Sequence, residues 1–348
     1  MIKNGAIEVY KKTFLDGEKL NNLVFSKVKE KDCFAVFSED KVVSCGFLNV
    51  KKLAVGSKVF CVPFLFGLAT LNEYKNKGYA RKIITDIVNN LKQKKAPLLL
   101  LYPFPVDKSF YENFSFSTFS FASEFALNSL VIKNSVIKEN VDKKSVYNLY
   151  NKVIKNYDFY QYLNKKDFDF YFSKINAFCG KTFGLYYKDY LYGFLCFDGD
   201  NIEDCFFDYE FIFNNRDKLY SCLNAENQLP KNLLVHSFIT DLLENKTHSS
   251  VLIRPVDYIE FLKVFKDNFF INENYSYKFL IKDEILGDIK IKISVFNNKI
   301  RFFSGFVGEP DVIFTPREFT DYVLFSKNSH SLLKTKKSIN HYAFLDKY

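Results

Sequence analysis

The strongest pattern of apolar and polar positions runs through residues 58–102. Residues 79–93 place apolar side chains three and four positions apart, which predicts an amphipathic helix. A mostly apolar stretch at 58–70 precedes this helix, and a continuous apolar run at 97–102 follows it and suits a strand buried on both faces. A strand, a helix and a strand in this order predict a βαβ unit, whose two strands pair in parallel.

Two further stretches have the pattern of β-hairpins. The first joins strands at 33–37 and 42–48, and the second joins strands at 182–187 and 191–196. Each has an aromatic first strand, a short acidic turn and the sequence Gly-Phe-Leu in its second strand. This similarity favours an internal duplication, and two unrelated hairpins are the alternative.

The remaining elements extend over the whole chain without a linker rich in Pro, Gly and Ser. Helices are predicted at 16–28, 142–156, 165–176, 258–268 and 317–325, and strands at 251–254, 277–281, 289–295 and 300–303. We therefore predict a mixed α/β (α+β) fold with mixed, partly parallel sheets, whose parts pack tightly together.

Composition narrows the class of protein. The chain has 348 residues, of which 48% are hydrophobic and 18% aromatic, so it can bury a large core and is not disordered throughout. Seven cysteines form no CxxC pair and four histidines have no ligand spacing, so neither a disulfide framework nor a metal site is predicted. The sequence shows no secretory signal and no apolar run of membrane-spanning length, and we predict a cytoplasmic protein.

The formal net charge is +9, although only five of the 49 basic residues are arginine. Lys, Phe, Asn, Tyr and Ile are abundant, as the codons of an AT-rich genome favour, and lysine is interleaved with Asp and Glu nearly everywhere. A basic surface that binds nucleic acid is the alternative, but it would require more clustered charge than the chain shows outside 75–95. We predict neither a nucleic-acid partner nor a membrane partner.

The loop between the strand at 58–70 and the helix at 79–93 has the chemistry of an anion site. The first N–H groups of a helix lack intrahelical partners and favour negative charge. Gly78 and Ala80 are small, so a phosphate can approach the backbone. Positive charge surrounds them on Lys75, Lys77, Arg81 and Lys82. The loop is neither a Walker loop nor a complete dinucleotide-binding fingerprint.

In this position the loop resembles motif A of the GCN5-related N-acetyltransferase (GNAT) superfamily, Arg/Gln-x-x-Gly-x-Gly/Ala, with Lys75 at the first position. The resemblance implies that acetyl-coenzyme A lies between the strand that ends at Thr70 and the strand at 97–102. It implies that backbone atoms of 68–70 bind the pantetheine arm and that N–H groups of 76–81 bind the pyrophosphate. The cofactor-binding residues predicted in this way are Leu68, Ala69, Thr70, Lys75, Asn76, Lys77, Gly78, Tyr79, Ala80 and Arg81.

Residues 110–116 resemble the Phe-Tyr-x-x-x-Gly-Phe element of the same superfamily, with Ser115 in place of its glycine. The resemblance implies that Tyr111 protonates the departing thiolate. A thiolate has a pKa near 8.5, so a nearby phenol can act as its general acid. In a chain with 23 Tyr and 41 Phe, a core-packing role is the alternative for Tyr111.

The order of these segments resembles the Eis (enhanced intracellular survival) family, and Arg254 to Asp257 and Gly308 to Val312 resemble parts of its third domain. The resemblance implies a GNAT domain at 1–128, a degenerate GNAT-like domain at 129–247 and a domain resembling sterol carrier protein at 248–348. It also implies that the C-terminal carboxylate, here on Tyr348, reaches the active site and accepts a proton from the amine. A frayed terminus is the alternative for Tyr348.

The resulting functional hypothesis is an acetyl-CoA-dependent N-acetyltransferase. The Eis resemblance implies primary amines such as aminoglycosides or lysine side chains as acceptors, direct transfer, and a homo-oligomer, often a hexamer. A non-catalytic protein that binds lipid or another small ligand, with degenerate acetyltransferase domains, is the first alternative. A basic nucleic-acid-binding protein is the second.

Overall fold

The computed structural model describes residues 2–103, 108–126, 130–154, 157, 159–178, 181–198, 201–218, 232–236, 247–269, 271–325 and 342–343. The first elements are α1 (Ile2–Phe14), α2 (Glu18–Phe25), β1 (Cys33–Ser38), β2 (Lys41–Val55), β3 (Lys58–Thr70), α3 (Tyr79–Gln93), β4 (Leu98–Leu101), α4 (Lys108–Glu112) and β5 (Ser117–Ala126). Then follow β6 (Ser135–Glu139), α5 (Lys143–Val153), β7 (Phe159–Gln161), α6 (Lys165–Phe178), β8 (Lys181–Tyr187), β9 (Tyr190–Asp198), β10 (Asn201–Phe207) and α7 (Tyr209–Asn214).

The described residues of the last part of the chain form a further set of strands and two α-helices. These are β11 (Asn232–His236), β12 (Thr247–Pro255), α8 (Tyr258–Val264), β13 (Tyr275–Asp283), β14 (Gly287–Phe296), β15 (Lys299–Ser304), β16 (Val312–Phe314), α9 (Pro316–Phe325) and β17 (Tyr342–Ala343). Within the described ranges, no helix combines the length and the apolar character that crossing a bilayer requires.

The described strands form three sheets. The first sheet has the order β11-β5-β12-β4-β3-β2-β7-β17, with β1 paired to the first half of β2. The second sheet has the order β10-β9-β8-β6, and the third has the order β15-β14-β13-β16. The β3–β4, β7–β17 and β13–β16 pairs are parallel and the others are antiparallel, so the predicted mixed α/β fold with partly parallel sheets is confirmed.

The first sheet carries helices on both faces. Leu98 and Leu100 of β4 belong to the core beneath α1 and α2, while Leu99 and Leu101 belong to the core beneath α3. All four leucine side chains are at most 1% exposed. This alternation explains why β4 is a continuous apolar run, because both of its faces are buried.

The sequence pattern predicted one helix at 16–28, and the structure has α2 there. It also has α1, a helix before residue 16 that the pattern did not predict. Only Ala6, Val9 and Tyr10 of α1 are buried, and the rest of the helix is polar or partly exposed. Such a narrow apolar stripe, made partly of alanine, gives a weak periodic signal.

Strand β12 lies in the first sheet, between β4 and β5. It pairs Leu252 with Leu101 and Pro255 with Leu98. The predicted domain boundary between residues 247 and 248 therefore falls within a strand of this sheet. The division into domains at 1–128, 129–247 and 248–348 stays a prediction.

Candidate active site

An opening in the first sheet forms where β3 and β4 diverge. The two strands pair only at Phe64 with Leu100 and Leu65 with Leu101. Strand β4 ends at Leu101, whereas β3 continues to Thr70 with β2 on its other side. Residues 68–70 therefore present one backbone edge to the opening and not to a neighbouring strand.

A β-bulge directs the end of β3 away from β4. Between Cys45 and Phe47 of β2, the partner residues on β3 are Ala69 and Phe66, so β3 has one extra residue. Gly67 lies in this bulge with φ at +61°, and a Cβ there would lie 2.7 Å from the Tyr10 ring. Both the left-handed conformation and the close approach of α1 require glycine at this position.

The loop that follows ends at an uncapped helix. Asn76 and Gly78 have φ of +62° and +79°, and Gly78 is the N-cap of α3. No side chain caps this end of α3. The N–H groups of its first turn are therefore available to a ligand, and the helix dipole makes an anion the favoured one.

The opening and the loop line one cleft of about 450 Å³. The predicted residues that line it are Leu68, Ala69, Thr70, Lys75, Asn76, Gly78, Tyr79, Ala80, Arg81 and Tyr111. The side chain of Lys77 lies outside the lining, with its ammonium group 5.0 Å from the centre of the Tyr74 ring. The structure thus brings these residues together, while their roles stay predictions.

Tyr111 lies on the short helix α4 and is 5% exposed. Its ring makes edge contacts with Phe110 and Phe116, at centroid distances of 5.1 and 6.0 Å. Burial of the phenol disfavours the charged form and raises the pKa of Tyr111 to about 12. The side chain is therefore a neutral hydrogen-bond donor at neutral pH.

Ser115 occupies a left-handed position in the turn after Tyr111, with φ of +60°. This conformation explains the glycine in the resembled element, because a residue with a Cβ pays roughly 1–2 kcal/mol there. The Ser115 hydroxyl donates a hydrogen bond to Glu284 Oε2 at 2.8 Å. That bond offsets part of the cost and links the turn to the loop after β13.

A buried arginine holds the same turn from the other side. Arg254 of β12 is 0% exposed, and its Nε donates to the carbonyl oxygen of Phe114 at 2.8 Å. Its Nη2 donates to Asp283 Oδ1 at 2.7 Å, and Tyr258 donates to Asp283 Oδ2 at 2.7 Å. The predicted Arg254–Asp257 element therefore contributes a buried ion pair that supports the turn next to Tyr111.

The positive charge at the cleft comes from Lys75 and Arg81. The Arg81 guanidinium lies over the Phe114 ring, 4.8 Å from its centre, which holds it at the cleft wall. Lys82 forms an ion pair with Asp86 at 3.1 Å, so its charge is partly compensated.

Sequence reasoning missed several residues that line the cleft. They are Thr13 and Phe14 of α1, together with Tyr74, Phe110, Asn113 and Phe114. Phe110 and Phe114 stood within the element around Tyr111 that the sequence analysis singled out, so their nearness in the chain was a usable signal. Thr13 and Phe14 had no usable signal, because α1 itself was not predicted.

Tyr348 lies outside the described residues. The last described segment, β17, pairs Tyr342 with Phe159 and Ala343 with Tyr160 at the edge of the first sheet. The proposed contact of the Tyr348 carboxylate with the cleft therefore stays a prediction.

Comparison with protein families identifies a GNAT domain in the first part of the chain. Residues 3–119, about a third of the chain, match the model described as "Acetyltransferase (GNAT) domain". This range includes the opening, the loop and Tyr111. The predicted enzyme class, N-acetyltransferase, is confirmed at this level. No curated protein matches the chain at a significant level.

Solved structures share the fold over nearly the full length. A probable N-acyltransferase from Enterococcus faecalis V583 is 13% identical, with 92% of this chain and 87% of that chain covered and a TM-score of 0.66. A GCN5-related N-acetyltransferase from Anabaena variabilis ATCC 29413 is 14% identical, with 98% and 96% covered and a TM-score of 0.65. Eis1 from Mycobacterium abscessus is 9% identical, with 92% and 86% covered and a TM-score of 0.62. At these identities the likeness is one of fold.

Proposed function

We propose that the chain, which carries a GNAT acetyltransferase domain at residues 3–119, transfers an acetyl group from acetyl-coenzyme A to a primary amine. One observation carries this proposal. The free backbone edge of β3 at 68–70 and the uncapped first turn of α3 open onto the same cleft. That arrangement suits a donor with an amide-containing arm next to a diphosphate.

The residues present fit acetyl-coenzyme A. The edge at 68–70 offers backbone groups to the amides of the pantetheine arm, and N–H groups of residues 76–81 offer donors to the pyrophosphate. Lys75 and Arg81 supply positive charge. Lys77 takes part through its backbone only, because its side chain lies outside the lining.

The proposed chemistry is direct transfer. The neutral amine attacks the thioester carbonyl carbon, so a C–N bond forms and the C–S bond breaks. A backbone N–H at 68–70 polarises the carbonyl oxygen. Tyr111 donates its proton to the departing sulfur. The proton that the amine releases then reprotonates Tyr111.

The raised pKa of Tyr111 has two consequences. The proton is present on the phenol throughout the neutral range, because the pKa is about 12. Complete transfer to a thiolate with a pKa near 8.5 is unfavourable by itself. The proton released by the amine must therefore compensate it within the same reaction.

The remaining parts of the proposal come from the Eis resemblance. The Tyr348 carboxylate assists deprotonation of the amine, directly or through water, and passes that proton on to Tyr111; the resemblance alone supports this role. The third part of the chain is a domain like sterol carrier protein, and the protein forms a homo-oligomer, which we take as a hexamer. Similarity to Eis1 over 92% of the chain is one of fold, and the assembly and the role of the third part rest on the resemblance in sequence. Aminoglycosides and lysine side chains are the proposed acceptors.

Calorimetric titration of acetyl-coenzyme A tests the donor site. Gly78→Glu places a carboxylate at the uncapped turn, and we expect it to abolish binding. Gly287→Glu is the matched control, since both glycines have positive φ, +79° and +76°, and a Cβ at either meets nothing within 4 Å. Both variants therefore introduce similar backbone strain, and they differ in where the new negative charge lies.

Three outcomes are decisive for the donor site and the chemistry. Loss of binding in Gly78→Glu alone supports the proposal, and thiol release with a panel of amines then identifies the acceptor. Binding that survives Gly78→Glu moves the donor elsewhere. A wild-type protein that binds no acetyl-coenzyme A makes the non-catalytic ligand-binding alternative the leading one.

A further inference from the structure

A second cleft, of about 390 Å³, lies between the first sheet and α6. One wall is residues 48–52 of β2, and the other contains residues 161–163 and the start of α6. In the register of the hairpin, Lys51 pairs with Val62 of β3, whereas the first cleft opens at 68–70. The two clefts therefore lie toward opposite ends of β3, separated by roughly 20 Å along the strand.

The second cleft has a strong excess of positive charge. Its described lining contains six lysines, namely Lys27, Lys29, Lys31, Lys51, Lys52 and Lys174. Only two carboxylates, Asp32 and Asp167, line it with them. Lys52 pairs with Asp167 at 2.7 Å, so this acid is already engaged. Such a lining repels a polycationic amine and attracts an anion.

Two of the lysines lie deep in the fold. Lys51 and Lys174 are 4% and 5% exposed, and the neighbouring Gln161 is 2% exposed. Aromatic rings lie against the charges, with the Lys27 ammonium 3.6 Å and the Lys174 ammonium 5.2 Å from the centre of the Phe170 ring. Both buried lysines also interact with other groups of the fold, and an anion in the cleft would add a charge-assisted contact to those interactions.

We infer that this cleft binds a small polyanion that carries phosphate or carboxylate groups. The volume is in the range of small-molecule sites. Lysines supply the charge, and Phe170 and Val24 offer apolar surface to an organic part. The bound molecule contacts both the α2–β1 connection and α6, so it bridges two parts of the fold. This site is independent of the proposed acetyl transfer.

Titration of inorganic pyrophosphate and, separately, of citrate at low salt tests the inference. The full-length protein carries Gly78→Glu, so that the first cleft does not contribute an anion site. Lys27→Gln/Lys29→Gln/Lys31→Gln removes the outer charges, and Lys290→Gln/Lys292→Gln/Lys299→Gln on the third sheet is the matched control. Circular-dichroism melting curves show whether each variant is folded.

We expect at least one of the two anions to bind, and the first triple variant to weaken it about tenfold or more, since each lost charge removes a charge-assisted contact. The control triple variant should change the affinity less than about twofold. Tighter binding of pyrophosphate assigns a phosphorylated ligand, and tighter binding of citrate assigns a polycarboxylate. The inference is overturned if neither anion binds, or if both triple variants bind equally well.

Discussion

The first and second sheets contain hairpins with the same sequence pattern, but they use it differently. In the first sheet a Cβ on Gly46 would lie 2.9 Å from Ile83, so the glycine allows α3 to pack closely on β2. In the second sheet a Cβ on Gly193 would lie 2.7 Å from the Phe207 ring of the next strand. Glycine at the matching hairpin position thus leaves room for a helix in one sheet and for an aromatic side chain in the other.

The strand pairing explains why the first sheet opens and the described part of the second sheet does not. Each described pairing in the second sheet, β10-β9-β8-β6, is antiparallel. The paired strands there stay side by side along their described registers. In the first sheet the parallel β3–β4 pair ends after Leu65, and β3 continues with β2 on one side and no described strand on the other. A repeated hairpin therefore does not repeat the site, because the site depends on what lies beside the hairpin.

The helices next to the two sheets also differ in how their N-termini are capped. Helix α5, next to the second sheet, begins at Asp142, whose carboxylate accepts from the Ser145 N–H at 2.9 Å. Helix α7 begins at Asp208 in the same way, whereas α3 begins at Gly78 without a side-chain cap. A capping carboxylate occupies the N–H groups that an anion would use.

The largest expected effect is on stability. It tests whether the first sheet is stabilised by the ion pair of Arg254, a residue far in sequence from the turn that it supports. Arg254→Met leaves Asp283 buried without its cation, and we expect the free energy of unfolding to fall by about 3–5 kcal/mol. Urea denaturation measures this. Arg254→Met/Asp283→Leu should recover part of the loss, because it removes both charges. A change below about 1 kcal/mol in the single variant would contradict a structural role for the pair.

The second effect is a loss of stability at alkaline pH. Its measurement compares buried tyrosines in the two regions. Burial raises the pKa of Tyr111 to about 12, and it also raises the pKa of Tyr157 and Tyr209 near the second sheet. An unfolded tyrosine has a pKa near 10, so the folded state favours the neutral phenol. This stabilisation is complete below about pH 10 and is lost as the pH rises toward 12.

For Tyr111 the loss is on the order of 2–3 kcal/mol at the upper end of this pH range. Urea midpoints between about pH 9 and 11.5 measure it in the wild type and in Tyr111→Phe. We expect the variant to lose less stability over the range, while the second-region tyrosines keep their share of the dependence. Identical pH profiles would mean that Tyr111 does not titrate with unfolding.

A third effect separates packing from function in the two hairpins. Gly46→Ala and Gly193→Ala both force a Cβ into occupied space, and each should cost about 1–3 kcal/mol. Only Gly46→Ala displaces α3 and its uncapped end, so only this variant should weaken acetyl-coenzyme A binding. Calorimetric titration of both variants checks the difference. Equal weakening would show that the second sheet also shapes the donor cleft.

The smallest effect concerns the strained turn after Tyr111. Ser115→Gly and Ser115→Ala both remove the hydroxyl that bonds to Glu284, but only alanine keeps a Cβ at positive φ. We expect the glycine variant to be about 1 kcal/mol more stable than the alanine variant. Thermal or urea unfolding compares them directly, and the reverse order would show that the turn relaxes in the variants.

Much of the site was predictable because its signals are local. The helix at 79–93 and the strands on either side follow from periodicity within 45 residues, and the glycine of the loop marks the helix start. Ser115 also carried a signal, since it stands where the resembled element has glycine. Arg254 was noted only as part of a resembled element, because its partners Phe114 and Asp283 are distant in the sequence.

The sequence by itself determined the strand–helix–strand unit at 58–102 and the chemistry of its loop, because periodicity, small residues and charge act over a few positions. Only the tertiary structure decided that β12 lies between β4 and β5, that α1 closes one side of the first cleft, and that lysines from the α2–β1 connection, β2 and α6 face a second cleft. These contacts join segments up to about 150 residues apart, and their energies depend on packing and burial that no local pattern records.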